Sequence, residues 1–169
     1  MQAYPDFHSV STKRFLGIEI PPQSAPDPEA SLKRALDTLF AHPNVGPFIG
    51  RQLIQRLVTS NPSPAYVGRV AAVFANNGQG RRGDLAAVFK AILTDNEALD
   101  SAGLTNANFG KLREPVLRLA QLARTFGGRS NNGNWQIGDL TDPATALGQS
   151  PLRSPSVFNF FRPAYFPAN

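Results

Sequence analysis

Between residues 29 and 126, apolar residues recur at helical spacing, interrupted by short segments rich in Pro, Asn and Gly. The most regular stretch is Leu85–Leu93, whose apolar residues at i, i+3, i+4, i+7 and i+8 form one stripe behind Asp84. The whole pattern predicts five helices, at about 29–40, from 45 to the Asn61-Pro62 break, at 64–75, from 85 to 93 and at about 113–126.

Capping residues support these limits. Asp27, Ser63 and Asp84 are of types that accept hydrogen bonds from the first turn of a helix, and proline follows the first two. The first helix carries an apolar stripe made of Leu32, Ala35, Leu36 and Leu39. The fifth helix is expected to turn inward a similar set, made of Leu112, Val116, Leu119, Ala123 and Phe126.

The fold class predicted is all-α, a compact bundle of about five short helices with irregular ends rich in Pro, Gly and aromatic residues. Alternation within Lys13–Ile20 predicts an edge strand or a small β-hairpin. Three zones follow: an extended lead-in at 1–28, a helical core at 29–126 and a C-terminal wrap at 127–169, forming one domain or the C-terminal part of a larger one.

Composition excludes several kinds of chemistry. The chain has no cysteine and two histidines, His8 and His42, so disulfides, thiolate sites and most histidine-based metal or triad sites are excluded. We expect no cofactor and no metal. A hydrophobic content of 41% argues against disorder, and no apolar run approaches the ~20 residues of a membrane helix.

Charge is the composition feature that points to binding. The net charge is +5, and Asp37 and Asp84 bracket a stretch without acidic residues. Arginine pairs with oxyanions through a bidentate fork, so an anion or partner surface is predicted at Arg51, Arg56, Arg69, Arg81, Arg82, Lys111, Arg113 and Arg118. The alternative is that these are solvated faces of amphipathic helices, and the lack of a nucleic-acid-binding motif disfavours nucleic acid.

The end of the chain is unusually aromatic. Five rings fall in nine residues: Phe158, Phe160, Phe161, Tyr165 and Phe166. This segment is expected either to fold back onto the helical core as a plug, the interpretation we favour, or to dock a partner.

Three sequence blocks resemble domain-of-unknown-function family 1800, a bacterial family. They are the run from His42 to Val67, the run Gly110–Arg118 and the run from Ser150 to Pro163. Phe7-His8 followed by Lys13-Arg-Phe-Leu-Gly is similar to a fourth block, although Ser9 stands where members often have Asp.

The resemblance implies that the chain corresponds to the C-terminal third of longer proteins. It also implies a periplasmic or extracellular location, with contacts to the upstream part of the same polypeptide and to an exported sulfatase- or phosphatase-like protein of family 1501. The leading hypothesis is a non-catalytic module for protein interaction or surface assembly. One alternative is an enzyme completed by upstream residues, with His8, Lys13 and Glu114 as candidates; another is polyanion binding through the arginine-rich faces.

Overall fold

A computed structural model describes residues 2–134 and 138–162, so Tyr165 and Phe166 of the aromatic segment lie outside the described part. The described residues are predominantly helical. The strands are β1 (Lys13–Phe15) and β2 (Ile18–Ile20), and the helices are α1 (Pro28–Ala41), α2 (Val45–Leu57), α3 (Pro64–Ala75), α4 (Leu85–Leu93), α5 (Asn96–Leu99) and α6 (Pro115–Thr125).

The five helices expected from periodicity are confirmed as α1 to α4 and α6. Their caps act as predicted, because the side chains of Asp27, Ser63 and Asp84 accept hydrogen bonds from the backbone N–H groups of Ala30, Tyr66 and Ala87, respectively. The additional helix α5 has four residues, which is too short for an apolar period to reveal it.

The predicted hairpin is also confirmed. β1 and β2 pair antiparallel, with Phe15 opposite Ile18. The two linking residues, Leu16 and Gly17, have φ values of 48° and 77°, as a tight hairpin turn of the I′ kind requires. Glycine adopts this geometry freely, whereas leucine does so at a cost that the paired strands must offset.

The chain folds as two compact units, one up to residue 49 and one from residue 50 onward, so the boundary falls inside α2. In the first unit α1 packs on β2, and the buried residue of α1 is Ser31. The predicted apolar stripe of α1 is therefore not its buried face, since Leu32, Leu36 and Leu39 are exposed.

The second unit holds the main apolar core, which is formed by α2, α3 and α4. Its buried side chains are Ile54, Tyr66, Val70, Phe74, Val88 and Ile92. Gly50 permits a close approach of α2 to α3, because a Cβ placed there would lie 3.0 Å from Cγ1 of Val70. The stripe of α4 is split, since Val88 and Ile92 are buried whereas Leu85, Phe89 and Leu93 are exposed.

The prediction for the inward face of α6 is partly wrong. No residue of this helix is fully buried, and Leu112 and Phe126, both expected to face inward, are exposed. The helix therefore has an apolar side that the described residues cover only in part.

Candidate functional site

The end of α2 and the segment before α6 are joined by hydrogen bonds that centre on Gly110. The Thr59 hydroxyl lies 3.1 Å from the Gly110 carbonyl oxygen and 3.0 Å from the Gly110 N–H, while the Ser60 N–H donates to the same carbonyl at 2.9 Å. Thr59 and Ser60 are buried, so these bonds satisfy groups that water cannot reach. The first two sequence blocks thus meet at this point.

Glu114 joins the third block to the second. Its side chain is almost fully buried, with 4% exposure for the residue. One carboxylate oxygen accepts from Asn159 Nδ2 at 2.9 Å and the other from the Phe161 backbone N–H at 3.0 Å. Both oxygens therefore hold the C-terminal segment, through neutral donors.

Gln149, the residue before the third block, makes a further connection to the second block. Its side-chain oxygen accepts a hydrogen bond of 3.2 Å from the N–H of Val116, in the first turn of α6. Glu114 precedes α6 but makes no side-chain cap, so the buried amide of Gln149 fills that role from a distant part of the chain.

A cavity of about 100 Å³ lies beside these connections. Its polar lining comes from all three blocks: Arg56, Ser60, Lys111, Glu114, Asn159 and Arg162. The Lys111 ammonium donates to the Gln55 carbonyl at 2.6 Å. Partial burial lowers the pKa of Lys111, the positive charge of Arg56 lowers it further, and Glu114 acts in the opposite direction.

The other predicted cations lie elsewhere. Arg69 forms two hydrogen bonds of 2.7 Å with the Asp95 carboxylate, Arg82 lies 5.1 Å from the centre of the Phe74 ring, and Arg113 bonds to Gln121. Arg51, Arg81 and Arg118 do not line the cavity. The structure thus brings together Arg56 and Lys111 from the predicted anion surface, with Glu114 and Phe161 from the other predicted sets.

The described part of the aromatic segment is bound to Glu114 through the Asn159 side chain and the Phe161 backbone N–H. Phe158 is 57% exposed, whereas Phe160 and Phe161 are half-buried. None of these three rings is fully buried, and the other two rings lie outside the described residues, so the choice between a plug and a docking segment stays a prediction.

Two enzyme candidates meet in the first unit. His8 Nε2 lies 3.0 Å from the Ser31 hydroxyl, which lies 3.2 Å from Gln23 Oε1. The Lys13 ammonium donates to the same Gln23 oxygen at 3.3 Å and to the Ser9 carbonyl at 2.6 Å. His8 and Ser31 also line an open cavity of about 550 Å³.

An apolar groove of about 440 Å³ runs along α6. Its lining consists of Val116, Leu119, Ala120, Ala123, Arg124, Gly128, Leu140 and Pro151. On the same side of the helix, beside Leu119, Leu122 and Phe126 are 55% and 77% exposed. We refer to the groove together with these two exposed apolar side chains as the α6 strip.

Several residues of these sites could not be predicted from the sequence. Ser31 and Gln23 carried no signal, because single polar residues near a helix start are common in any protein. Asn159 and Gln149 are distant in sequence from the groups they bind, so only the fold reveals them. Arg162 could have been predicted as a site residue, since it lies within the aromatic segment.

Among residues 2–134 and 138–162, no three histidine or acidic side chains are grouped so that they could hold a metal ion. None of the described helices is both long and apolar enough to cross a membrane.

The model of the family described as "Protein of unknown function (DUF1800)" matches residues 1–169. No curated protein and no solved structure matches the chain.

Proposed function

The chain belongs to the DUF1800 family of proteins of unknown function, and we propose that it is a non-catalytic module that docks a segment of another protein on the α6 strip. The observation that carries the proposal is that α6 has an apolar side yet no fully buried residue. A helix whose apolar surface is covered only in part by the described residues has surface available for a partner.

The charge of α6 indicates the chemistry of that partner. The helix carries Arg118 and Arg124 and no acidic residue, and Arg124 lines the groove itself. A partner segment with apolar residues on one side and acidic residues along its edge would match both features. We therefore propose an acidic, amphipathic helix as the occupant.

The partner protein that we propose is the exported sulfatase- or phosphatase-like protein of family 1501, and the location is the periplasm or the outside of the cell. Both rest on the resemblance between the sequence blocks and the family. Cell fractionation of the full-length protein in its host tests the location, and recovery in the cytoplasm alone would contradict it.

Docking is tested by titrating the chain with the purified partner in a calorimeter. The double change Leu122→Asp and Phe126→Asp places two charges in the α6 strip and should abolish binding, because an apolar contact would have to bury them. Leu104→Asp is the control, since Leu104 is 90% exposed and lies outside the strip. Binding should also weaken with salt if acidic residues contribute.

Equal binding by the double variant and the wild type would refute the docking site. Protection of the α6 strip by the upstream part of the same polypeptide would instead identify a different occupant. Hydrogen exchange of α6 in the full-length protein, with and without the partner, distinguishes these results.

A second candidate function, hydrolysis of an acyl ester, is favoured by the contact between His8 and Ser31. A serine hydroxyl within hydrogen-bond reach of an imidazole is the arrangement of a nucleophile with its general base. The Ser31 hydroxyl donates its proton to Gln23 Oε1 in the structure, so in such a reaction it would first turn towards His8 Nε2. Ser31 Oγ would then attack the carbonyl carbon while His8 Nε2 took the hydroxyl proton and later passed it to the departing alcohol. Water would then release the acid by the reverse transfers.

A fluorophosphonate reagent tests this candidate, because an activated serine forms a bond to its phosphorus and displaces fluoride. Labelling at Ser31 that is lost in Ser31→Ala and in His8→Ala, but kept in Ser9→Ala, would support hydrolysis. No labelling of folded protein would leave the contact as a structural tie between the N-terminal segment and α1.

A further inference from the structure

The cavity between α2 and the start of α6 has an excess of positive charge. Arg56, Lys111 and Arg162 line it together with one carboxylate, that of Glu114. None of the salt bridges within the described residues involves any of these three cations. Within residues 2–134 and 138–162, about two positive charges at this place therefore have no acidic partner.

Glu114 does not remove this excess. Its two oxygens accept hydrogen bonds from Asn159 and from the Phe161 backbone, which direct the carboxylate towards the C-terminal segment. Because those donors are neutral, the charge of Glu114 offsets one cation at most. The bonds also keep Asn159 and Arg162 beside the cavity, since both belong to the segment that Glu114 holds.

The ammonium group of Lys111 lies within this excess of positive charge. One of its three N–H groups donates to the Gln55 carbonyl, which leaves two for a ligand. Burial and the neighbouring Arg56 lower the pKa of Lys111. An anion in the cavity would oppose both effects, because it would stabilise the charged ammonium.

We propose that this cavity binds a tetrahedral oxyanion, phosphate or sulfate, between Arg56, Lys111 and Arg162. Two unmatched positive charges suit a dianion better than a single carboxylate. Arginine offers a planar fork of N–H donors and lysine a point charge, and the Ser60 hydroxyl lies in the same lining.

The size of the cavity favours a small ligand. Its volume of about 100 Å³ is well below the roughly 300 Å³ at which pockets for drug-sized molecules begin. An extended polyanion is a poorer match, because Arg69 is already paired with Asp95 and the remaining predicted cations do not line the cavity.

Calorimetric titration of the chain with sodium sulfate and with sodium phosphate tests the proposal, with sodium chloride at equal ionic strength as the reference. We expect saturable binding of one oxyanion, and a higher melting temperature than in chloride, because a ligand that binds only the folded state stabilises it. Equal melting temperatures in the three salts, without saturable heat, would overturn the proposal.

Substitutions of single arginines test whether the ion binds in the cavity. Arg56→Gln should weaken binding by about tenfold or more, the loss expected for a hydrogen bond to a charged group. Arg81→Gln removes the same charge from a residue outside the cavity and should leave the affinity unchanged. If the two variants weaken binding equally, the effect is general screening and the cavity is not the site. Arg56→Lys, which keeps the charge but loses the fork, should give an intermediate affinity and serves as the test should Arg56→Gln fail to fold.

A titration with glycerol 3-phosphate distinguishes a site for a free inorganic anion from a site for the phosphate group of a larger ligand. Binding at least as tight as that of inorganic phosphate would show that the cavity takes the phosphate of a larger ligand, whereas binding of the inorganic ions alone would show a site for the free anion. If neither the inorganic ions nor glycerol 3-phosphate binds, the proposed docking of a partner on α6 is not affected, because the Leu122 and Phe126 variants test it separately.

Discussion

At the scale of single residues, Glu114 shows how a buried charge can be retained by structure. Its carboxylate is almost fully removed from water, and two hydrogen bonds from the C-terminal segment replace the lost hydration. Asn159, one of the donors, has φ of 66°, a left-handed conformation that asparagine tolerates better than most residues. The contact therefore depends on both the side chain and the backbone preference of Asn159.

We expect Asn159→Asp to destabilise the protein by about 1–3 kcal/mol, since it removes a donor from a buried carboxylate and adds a like charge beside it. Asn159→Gly keeps the left-handed backbone and should cost less. Urea unfolding measures both, and Asn131→Asp, an exposed asparagine in a loop, is the control for the added charge. Equal stabilities of the Asn159→Asp and Asn131→Asp variants would contradict the role assigned to Glu114.

At the scale of elements, the pairing of α3 with α4 is the best-packed part of the described chain. Tyr66 is fully buried in α3, and its hydroxyl donates at 2.5 Å to the carbonyl of Ile92, in the last turn of α4. Carbonyls of a last turn lack partners within the helix, so this bond satisfies one of them. Burial, with smaller contributions from Asp95 and Glu97, raises the pKa of Tyr66 to about 12.

Tyr66→Phe should destabilise the protein by about 1–2 kcal/mol at neutral pH, because the Ile92 carbonyl loses its partner without gaining water. Thermal unfolding of the variant measures this loss. Tyr4→Phe, at an exposed position, should have no comparable effect and is the control.

The same residue predicts a dependence on alkaline pH. In the unfolded chain Tyr66 loses its proton near pH 10, whereas in the folded protein it keeps the proton up to about pH 12. The folded state binds more protons in this interval, so the contribution of Tyr66 to stability is complete below pH 10 and is lost as the pH rises towards 12. The difference in melting temperature between wild type and Tyr66→Phe should therefore shrink across this interval, and a constant difference would contradict the raised pKa.

At the scale of the whole molecule, the two units differ in their apolar cores. Counting the described residues alone, the second has six buried apolar side chains on α2, α3 and α4, whereas the first has one, Ile20. Because burial of apolar surface is the main source of stability, the two units should not be equally stable.

Native-state hydrogen exchange should therefore show lower protection in α1 than in α3 and α4. The contrast should persist at low denaturant concentrations, where local opening dominates exchange. Equal protection of all three helices, up to the free energy of global unfolding, would indicate a single cooperative unit and contradict this expectation.

The five longer helices, three of their caps and the hairpin could be predicted from the sequence alone. They follow from local rules: the period of apolar residues, the hydrogen bonds that Asp27, Ser63 and Asp84 offer to the nearest backbone, and the alternation within Lys13–Ile20. Each rule involves residues only a few positions apart, so no knowledge of the tertiary structure is needed to apply it.

Only the tertiary structure decided which apolar faces are covered and which polar residues meet. The leucine stripe of α1 and half of the stripe of α4 have the same period as a buried face, and periodicity cannot say whether another element lies over it. The cavity likewise joins Arg56, Lys111 and Arg162, which lie as much as 106 positions apart. Their proximity depends on Glu114 and Gln149, which bind segments distant in sequence. Such contacts cannot be inferred from the pattern of residues along the chain.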